Sequence, residues 1–348
     1  MSNLIYKNVL IFILSFFISG IIIADDMTKV ISLRGKWKFS IGDDKEWMQE
    51  NYNDNDWESI YVPSPWEDQG FYGYDGFAWY RKTFVIPAEY ADKDIYLYLG
   101  YVDDADETYL NGNLIGFSGS MPPNYSTAYN AFRKYFLPKE YLKPGKPNLL
   151  SVRVYDAGQA GGIVNGDVGI YADMNPVPFQ IQLQGIWKFK PGDNMQYEDP
   201  QYNDSKWRFI SVPKYWEDQG YPNLHGFAWY RKTFYVSGQF TTDKVVVVLG
   251  KIDDFDEAYL NGTYIGPIRR IEEYSNDDDN RCTELRVYYI DGKLLQPNKY
   301  NVITVRVYDK GGLGGIYEGP LGIIRQKDFL QYWRMKNKIR GYSVTNDE

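Results

Sequence analysis

The nine residues GFAWYRKTF at positions 76–84 occur again, unchanged, at positions 226–234. An identical run of that length at a separation of 150 residues marks an internal duplication, and a duplication decides how the rest of the chain is read. Outward from it, Trp66-Glu67-Asp68-Gln69-Gly70 returns as Trp216-Glu217-Asp218-Gln219-Gly220, and Gly35-x-Trp37-Lys38-Phe39 returns as Gly185-x-Trp187-Lys188-Phe189. The segment DDADETYLNG at 103–112 matches DDFDEAYLNG at 253–262. VRVYD at 152–156 and GGI at 161–163 recur at 305–309 and 314–316, an offset of 153, so the second copy gains three residues beside the acidic stretch 276–280. The organisation this implies is a first domain over 25–172, a connecting segment 173–181 carrying Pro176 and Pro178, a second domain over 182–325, and a tail 326–348. In the tail, Phe329, Tyr332 and Trp333 fit one face of a short docked helix.

Inside each copy, β-branched and aromatic runs such as 95–99, 149–155, 245–249 and 302–308 are bounded by Gly, Asp, Asn and Pro, the pattern of short strands. Asn111-Gly112 and Asn261-Gly262 supply the two positive φ angles of a type I′ hairpin. Frequent turns and few helical periods predict an all-β chain of two tandem antiparallel jelly-roll β-sandwiches with a short C-terminal helix.

Composition bounds the function. The 348 residues carry 38 Lys+Arg against 46 Asp+Glu, a net charge of −8, so there is no basic field to attract nucleic acid. The aromatic fraction is 18%, with 33 Tyr and 10 Trp, residues suited both to sheet faces and to amphipathic binding surfaces. Lys7 followed by an apolar run over 9–23 and the small Ala24 reads as a secretory signal over 1–24, which places the protein in the periplasm or outside the cell. An uncleaved N-terminal membrane anchor is the alternative. The single cysteine, Cys282, excludes both a lipid anchor at the processing site and an intramolecular disulfide.

The motifs in order are GxWKF, a Trp in Asn-Asp-x-x-Trp (Trp57, Trp207), VPxxWEDQG, WYRKTF, the acidic strand leading into LNG, VRVYD and GGI. This series resembles the N-terminal sugar-binding, galactose-binding-like domain of family 2 glycoside hydrolases of the β-galactosidase and β-glucuronidase type. It is also similar to the jelly-roll module of sialate O-acetylesterase-like proteins. The resemblance implies a carbohydrate ligand and no cofactor. In the resembled hydrolases the catalytic carboxylates stand on a separate barrel of about 200 residues or more, whereas 23 residues follow the second copy here. The esterase chemistry needs a positioned histidine beside a serine; the one histidine is His225, and no matching serine motif occurs. The expectation is an exported, non-catalytic carbohydrate-binding protein, acting alone or beside a separately encoded glycosidase. The alternatives are a divergent family 2 hydrolase and a structural or sensory ectodomain without a sugar ligand.

Candidate carbohydrate-binding residues are Trp66, Asp68, Tyr74, Asp156 and Asn165 in copy one and Trp216, Asp218, His225 and Asp309 in copy two. Trp66 and Trp216 either stack on a sugar ring or plug one end of a domain. Asp156 and Asp309 end the VRVYD strands and begin glycine-rich loops, which the resemblance places at the sugar-facing rim; each either accepts sugar hydroxyls or caps its own loop as an Asx turn. The acidic strands 103–107 and 253–257 are expected to pair with Arg153, Arg306 or turn amides, with a structural Ca²⁺ in one copy as the alternative, since alternation sends neighbouring carboxylates to opposite faces. Copy one, richer in Tyr74, Asn124, Tyr125, Tyr129 and Asn165, is expected to be the binding copy.

Overall fold

A computed structural model describes residues 27–238, 240, 244–274 and 281–339. The signal segment 1–24 and the acidic loop 276–280 fall outside the described residues. Copy one contributes β1 (Met27–Ser32), β2 (Gly35–Ile41), β3 (Glu58–Val62), β4 (Gly76–Val85), β5 (Asp94–Asp103), β6 (Ala105–Leu110), β7 (Asn113–Ser118), β8 (Phe132–Leu137), β9 (Pro147–Asp156) and β10 (Gly162–Asp173). Copy two contributes β11 (Ile181–Gln182), β12 (Gly185–Pro191), β13 (Arg208–Val212), β14 (Gly226–Val236), β15 (Lys244–Asp253), β16 (Phe255–Leu260), β17 (Thr263–Gly266), β18 (Leu285–Asp291), β19 (Lys299–Asp309) and β20 (Gly315–Arg325), followed by α1 (Gln326–Ile339).

The chain is all-β with one short C-terminal helix, but the two jelly-roll sandwiches expected from the sequence are corrected. The strands form four separate blade-like antiparallel sheets, ordered β1-β10-β5-β8, β3-β2-β4-β9-β6-β7, β11-β20-β15-β18 and β13-β12-β14-β19-β16-β17. A jelly roll has eight strands; among the described residues each copy has ten, in sheets of four and six. The physical reason lies in β4. The repeated motif reads as a strand with one core face, yet Ala78, Trp79, Tyr80 and Arg81 are all buried. Tyr80 points into the main core, 4.9 Å from the Phe39 ring, while Trp79 lies on the opposite face, 5.9 Å from Tyr109 and 6.3 Å from Trp47. The hairpin β2-β3 extends this sheet beyond β4, and the short helical turn Lys45–Met48 brings Trp47 over its outer face.

Within copy one, the buried residues of both sheets form one contiguous cluster, from Trp37, Phe39 and Tyr80 to Leu97, Leu99, Val168 and Ile170; copy two repeats it. The predicted hairpin turns are present, with φ of 50° and 81° at Asn111-Gly112 and 51° and 79° at Asn261-Gly262. Helix α1 packs Phe329 and Trp333 against Val246, Val248 and Ile324 on the outer side of a copy-two sheet. The copies meet where the β7 edge of copy one reaches β12 and β13. Gly119 N–H donates to the Asp218 carbonyl at 2.6 Å, Phe117 N–H donates to Ser211 Oγ at 3.3 Å, and Gln184 Nε2 donates to Tyr96 Oη at 3.0 Å. Gly220 (φ +86°) permits this approach: a Cβ there would sit 2.7 Å from Ser120 Cβ.

Candidate functional site

In each copy the chemistry-bearing residues collect where the two sheets come together. Asp103 ends β5 in the four-stranded sheet and Asp156 ends β9 in the six-stranded sheet. Asp104 stands between β5 and β6, outside both strands, so the alternation expected to send it away from Asp103 does not apply. The carboxylates of Asp103, Asp104 and Asp156 consequently converge, with an oxygen of each within 4.8 Å of the others. Asp253, Asp254 and Asp309 do the same in copy two. This all-oxygen donor set is of the kind a hard cation accepts.

The surrounding bonds position the cluster. Asp104 Oδ2 accepts from Ala157 N–H at 3.0 Å, and Oδ1 accepts from the Thr127 hydroxyl. Arg133 donates from Nη2 to the Asp104 carbonyl at 2.9 Å and from Nε to Asp106 at 2.9 Å, with both Arg133 and Asp106 fully buried. Arg286 repeats this with the Asp254 carbonyl at 2.7 Å and Asp256 at 2.7 Å. Asp106 also accepts from Tyr135 Oη at 2.8 Å and Thr108 Oγ1 at 3.0 Å, so its lone pairs are occupied. The expected partner of the acidic strand, Arg153, pairs with Glu107 at 3.1 Å and with Asp43. Arg306 does the same with Glu257 at 3.2 Å and Asp193 at 2.6 Å. The Arg133 and Arg286 pairs were not legible, because nothing in one strand's sequence names its partner on the facing sheet.

Burial raises Asp103 to about 7, reinforced by the hydrogen bond and charge of Asp104. Asp156 is raised to about 6, chiefly by burial, against the Gly158 amide and with the charges of Asp104, Glu67 and Asp75 adding to it. Burial works against ionisation of Asp104 too, but bonds from Thr127, Tyr125 and the Ala157 amide outweigh it and hold this acid below its ordinary value. Asp253 is raised to about 7 by burial and by Asp254.

Of the residues singled out in the sequence, Trp66 and Trp216 are wholly buried. Their indole N–H groups donate to the carbonyls of Tyr74 and Leu224, both at 3.1 Å, which makes them plugs and leaves no face for a sugar. Asp156 and Asp309 are buried as well, and each Oδ1 caps its loop, accepting from Gly158 N–H at 3.1 Å and Gly311 N–H at 3.0 Å. Tyr74 is half-buried, its hydroxyl donating to the Phe77 carbonyl at 2.6 Å. Asp68 and Asn165 are exposed and belong to neither triad. Asp218 lies in the contact between the copies. His225 reaches the triad of copy two, its Nδ1 lying 2.9 Å from Asp309 Oδ2.

A second concavity was missed because it belongs to neither copy alone. A groove of about 550 Å³ runs between them, lined among others by Phe132, Lys134, Tyr215, Asp218, Tyr317 and Glu318. Tyr215 and Tyr317 stack at 4.7 Å with an interplanar angle of 4°, both half-buried.

Part of the chain is homologous to curated family 2 glycosidases. It is 31% identical over 166 residues to a Formosa agariphila protein provisionally named a beta-glucuronidase, an alignment covering 43% of this chain and 15% of that protein. It is 29% identical over 150 residues to beta-galactosidase BoGH2A of Bacteroides ovatus, covering 40% of this chain and 17% of the relative. The chain therefore spans 15–17% of the length of these relatives. No protein-family profile matches. Among solved structures, a Bacteroides uniformis beta-glucuronidase superimposes over 83% of this chain and 28% of its own, at 16% identity and a TM-score of 0.36. A Lactobacillus rhamnosus beta-glucuronidase does so over 86% and 44%, at 14% identity and 0.35. Superposition at that level carries no argument about function.

Proposed function

We propose that this chain is an exported carbohydrate-binding protein, non-catalytic by itself, which works in the periplasm or outside the cell beside a separately encoded glycosidase. The observation that carries the carbohydrate reading is the homology to glycosidases over roughly two-fifths of the chain. The groove between the copies is the surface that suits it. The Tyr215-Tyr317 pair offers ring faces, and Lys134, Asp218 and Glu318 offer donors and acceptors to hydroxyls. Glycoside hydrolysis requires two carboxyl groups about 5–9.5 Å apart across an accessible cleft. In the triad of copy one, Asp104 and Asp156 are buried and do not face an accessible cleft as such a pair must.

Calorimetry of the purified chain against neutral and uronic oligosaccharides tests the reading. Binding is expected, and Tyr215→Ala combined with Tyr317→Ala is expected to weaken it at least about tenfold, a loss of about 1.4 kcal/mol. Turnover of nitrophenyl glycosides that persists through stringent purification removes the non-catalytic part of the proposal. No binding to any oligosaccharide removes the rest.

A further inference from the structure

The two triads have the same three acids and different company. In copy two, Asp309 Oδ1 accepts from Gly311 N–H and Oδ2 meets the imidazole of His225. In copy one, Asp156 Oδ1 accepts from Gly158 N–H, and Oδ2 is buried with no hydrogen-bond partner among the described residues. That oxygen lies deep, beside Gly161 and the ring of Trp66: a Cβ on Gly161 would sit 2.8 Å from it and 2.2 Å from the ring. A buried carboxylate oxygen left without a donor is costly, and native structures retain one where something else supplies the partner. The residue that answers His225 in copy one is Asp75, and the residue that answers Lys310 is Ala157. Both changes remove positive character, and Asp75 adds a charge that Asp156 feels, as does Glu67.

We propose that copy one holds one hard divalent cation of the calcium class between Asp103, Asp104 and Asp156, and that in copy two His225 takes the place of the ion. The donor spacing fits. Calcium sits about 2.3–2.6 Å from its oxygen ligands, so two ligands of one ion are separated by no more than about 5 Å; the three carboxylates lie within 4.8 Å of one another. Three carboxylates supply three to six of the roughly six to eight oxygens calcium takes. Asp103 is only half-buried, which leaves a side open to water and to the entering ion. Arg133 fixes the Asp104 backbone from behind, so the site is formed before the ion arrives. Copy two keeps the matching brace in Arg286 and differs in the histidine.

The test uses the full mature chain, stripped with EDTA and titrated with CaCl₂ by calorimetry. Tb³⁺ luminescence, sensitised by the neighbouring Trp66, serves as a second readout. One ion per chain is expected, with a rise in Tm on adding CaCl₂. Asp156→Asn is expected to weaken binding at least tenfold, and Asp309→Asn to leave it unchanged. Asp75→His alters an exposed loop residue and is expected to abolish binding by bringing an imidazole to Asp156, so the proposal stays testable if Asp156→Asn does not fold. His225→Asp is expected to raise the stoichiometry to two. No binding by the parent chain, two ions bound by it, or binding that survives both Asp156→Asn and Asp75→His overturns the proposal.

Discussion

In copy one, Asp156 Oδ2 has no hydrogen-bond partner among the described residues and Asp75 stands where the loop turns; in copy two, Asp309 Oδ2 lies 2.9 Å from His225 and Lys310 follows on the strand end. The arginine–aspartate brace beneath these groups is the same. Arg133 and Arg286 brace the backbone of Asp104 and Asp254, and Asp106 and Asp256 neutralise them in full burial. The comparison separates what the strands conserve within the duplication from what the loops are free to change. The strand network holds three acids in one place, and the loops differ in what they bring to them, His225 beside Asp309 in copy two against Asp75 in copy one.

The largest expected effect tests whether the two scaffolds are equivalent. Arg133→Met leaves Asp106 buried without its counter-charge and is expected to destabilise copy one by about 3–5 kcal/mol, as is Arg286→Met for copy two. Urea unfolding followed by tryptophan fluorescence measures both, and a difference above about 2 kcal/mol between the two variants breaks the equivalence. Next in size, His225→Ala removes the one side-chain partner of Asp309 Oδ2 among the described residues and is expected to cost about 1–3 kcal/mol in EDTA. A cost below about 0.5 kcal/mol would mean that the imidazole contributes nothing to copy two.

A third test concerns the contact between the copies. Lys214 bonds to Ser118 across the junction, and burial, followed by the charge of Arg133, pushes its pKa down from 10.5 to about 8, against the pull of Asp106 and Asp218. Below pH 8 both folded and unfolded chains carry the ammonium, and the folded state bears the full cost. Between about pH 8 and 10.5 the unfolded chain holds the extra proton, so stability rises with pH, by at most about 1.4 kcal/mol per pH unit for one proton. Lys214→Met is expected to remove that rise, read as the difference between parent and variant across a pH series of denaturation curves. An identical slope in the two proteins contradicts it. Smallest of all, Asp75→Ala in EDTA is expected to change stability by no more than about 0.5 kcal/mol, since Asp75 is exposed. A larger destabilisation would show that Asp75 supports its loop and is not merely a nearby charge.

Much of the local structure was legible. The repeat named the strands, and Asn111-Gly112 and Asn261-Gly262 named their turns, because both signals act over a few residues. The four-sheet arrangement was not, since the burial of Trp79 and Arg81 on the second face of β4 depends on Trp47 and Asp54, far away in sequence. The site was legible in part. Asp156 and Asp309 stand where strand gives way to loop, and of the two roles open to them in the sequence, sugar contact or loop cap, the structure shows the cap, with both acids buried beside Asp103, Asp104 and their counterparts. Only the interruption of strand geometry at Asp104 brings those carboxylates together, and alternation alone predicts the opposite.

The way β7 meets the second copy also gives the duplication a direction. Phe117 offers an N–H to Ser211, but its counterpart Pro267 has none to offer. Gly119, whose amide reaches Asp218, is answered by Arg269, and buried Ser118 is answered by Ile268, which stands fully exposed. The second copy thus lacks the N–H that Phe117 supplies, and it exposes a side chain where Ser118 is buried. A third unit docked by the same joint would meet proline in place of the Phe117 donor and a long arginine in place of Gly119, so the joint is a one-sided device that the duplication did not carry over to its second member.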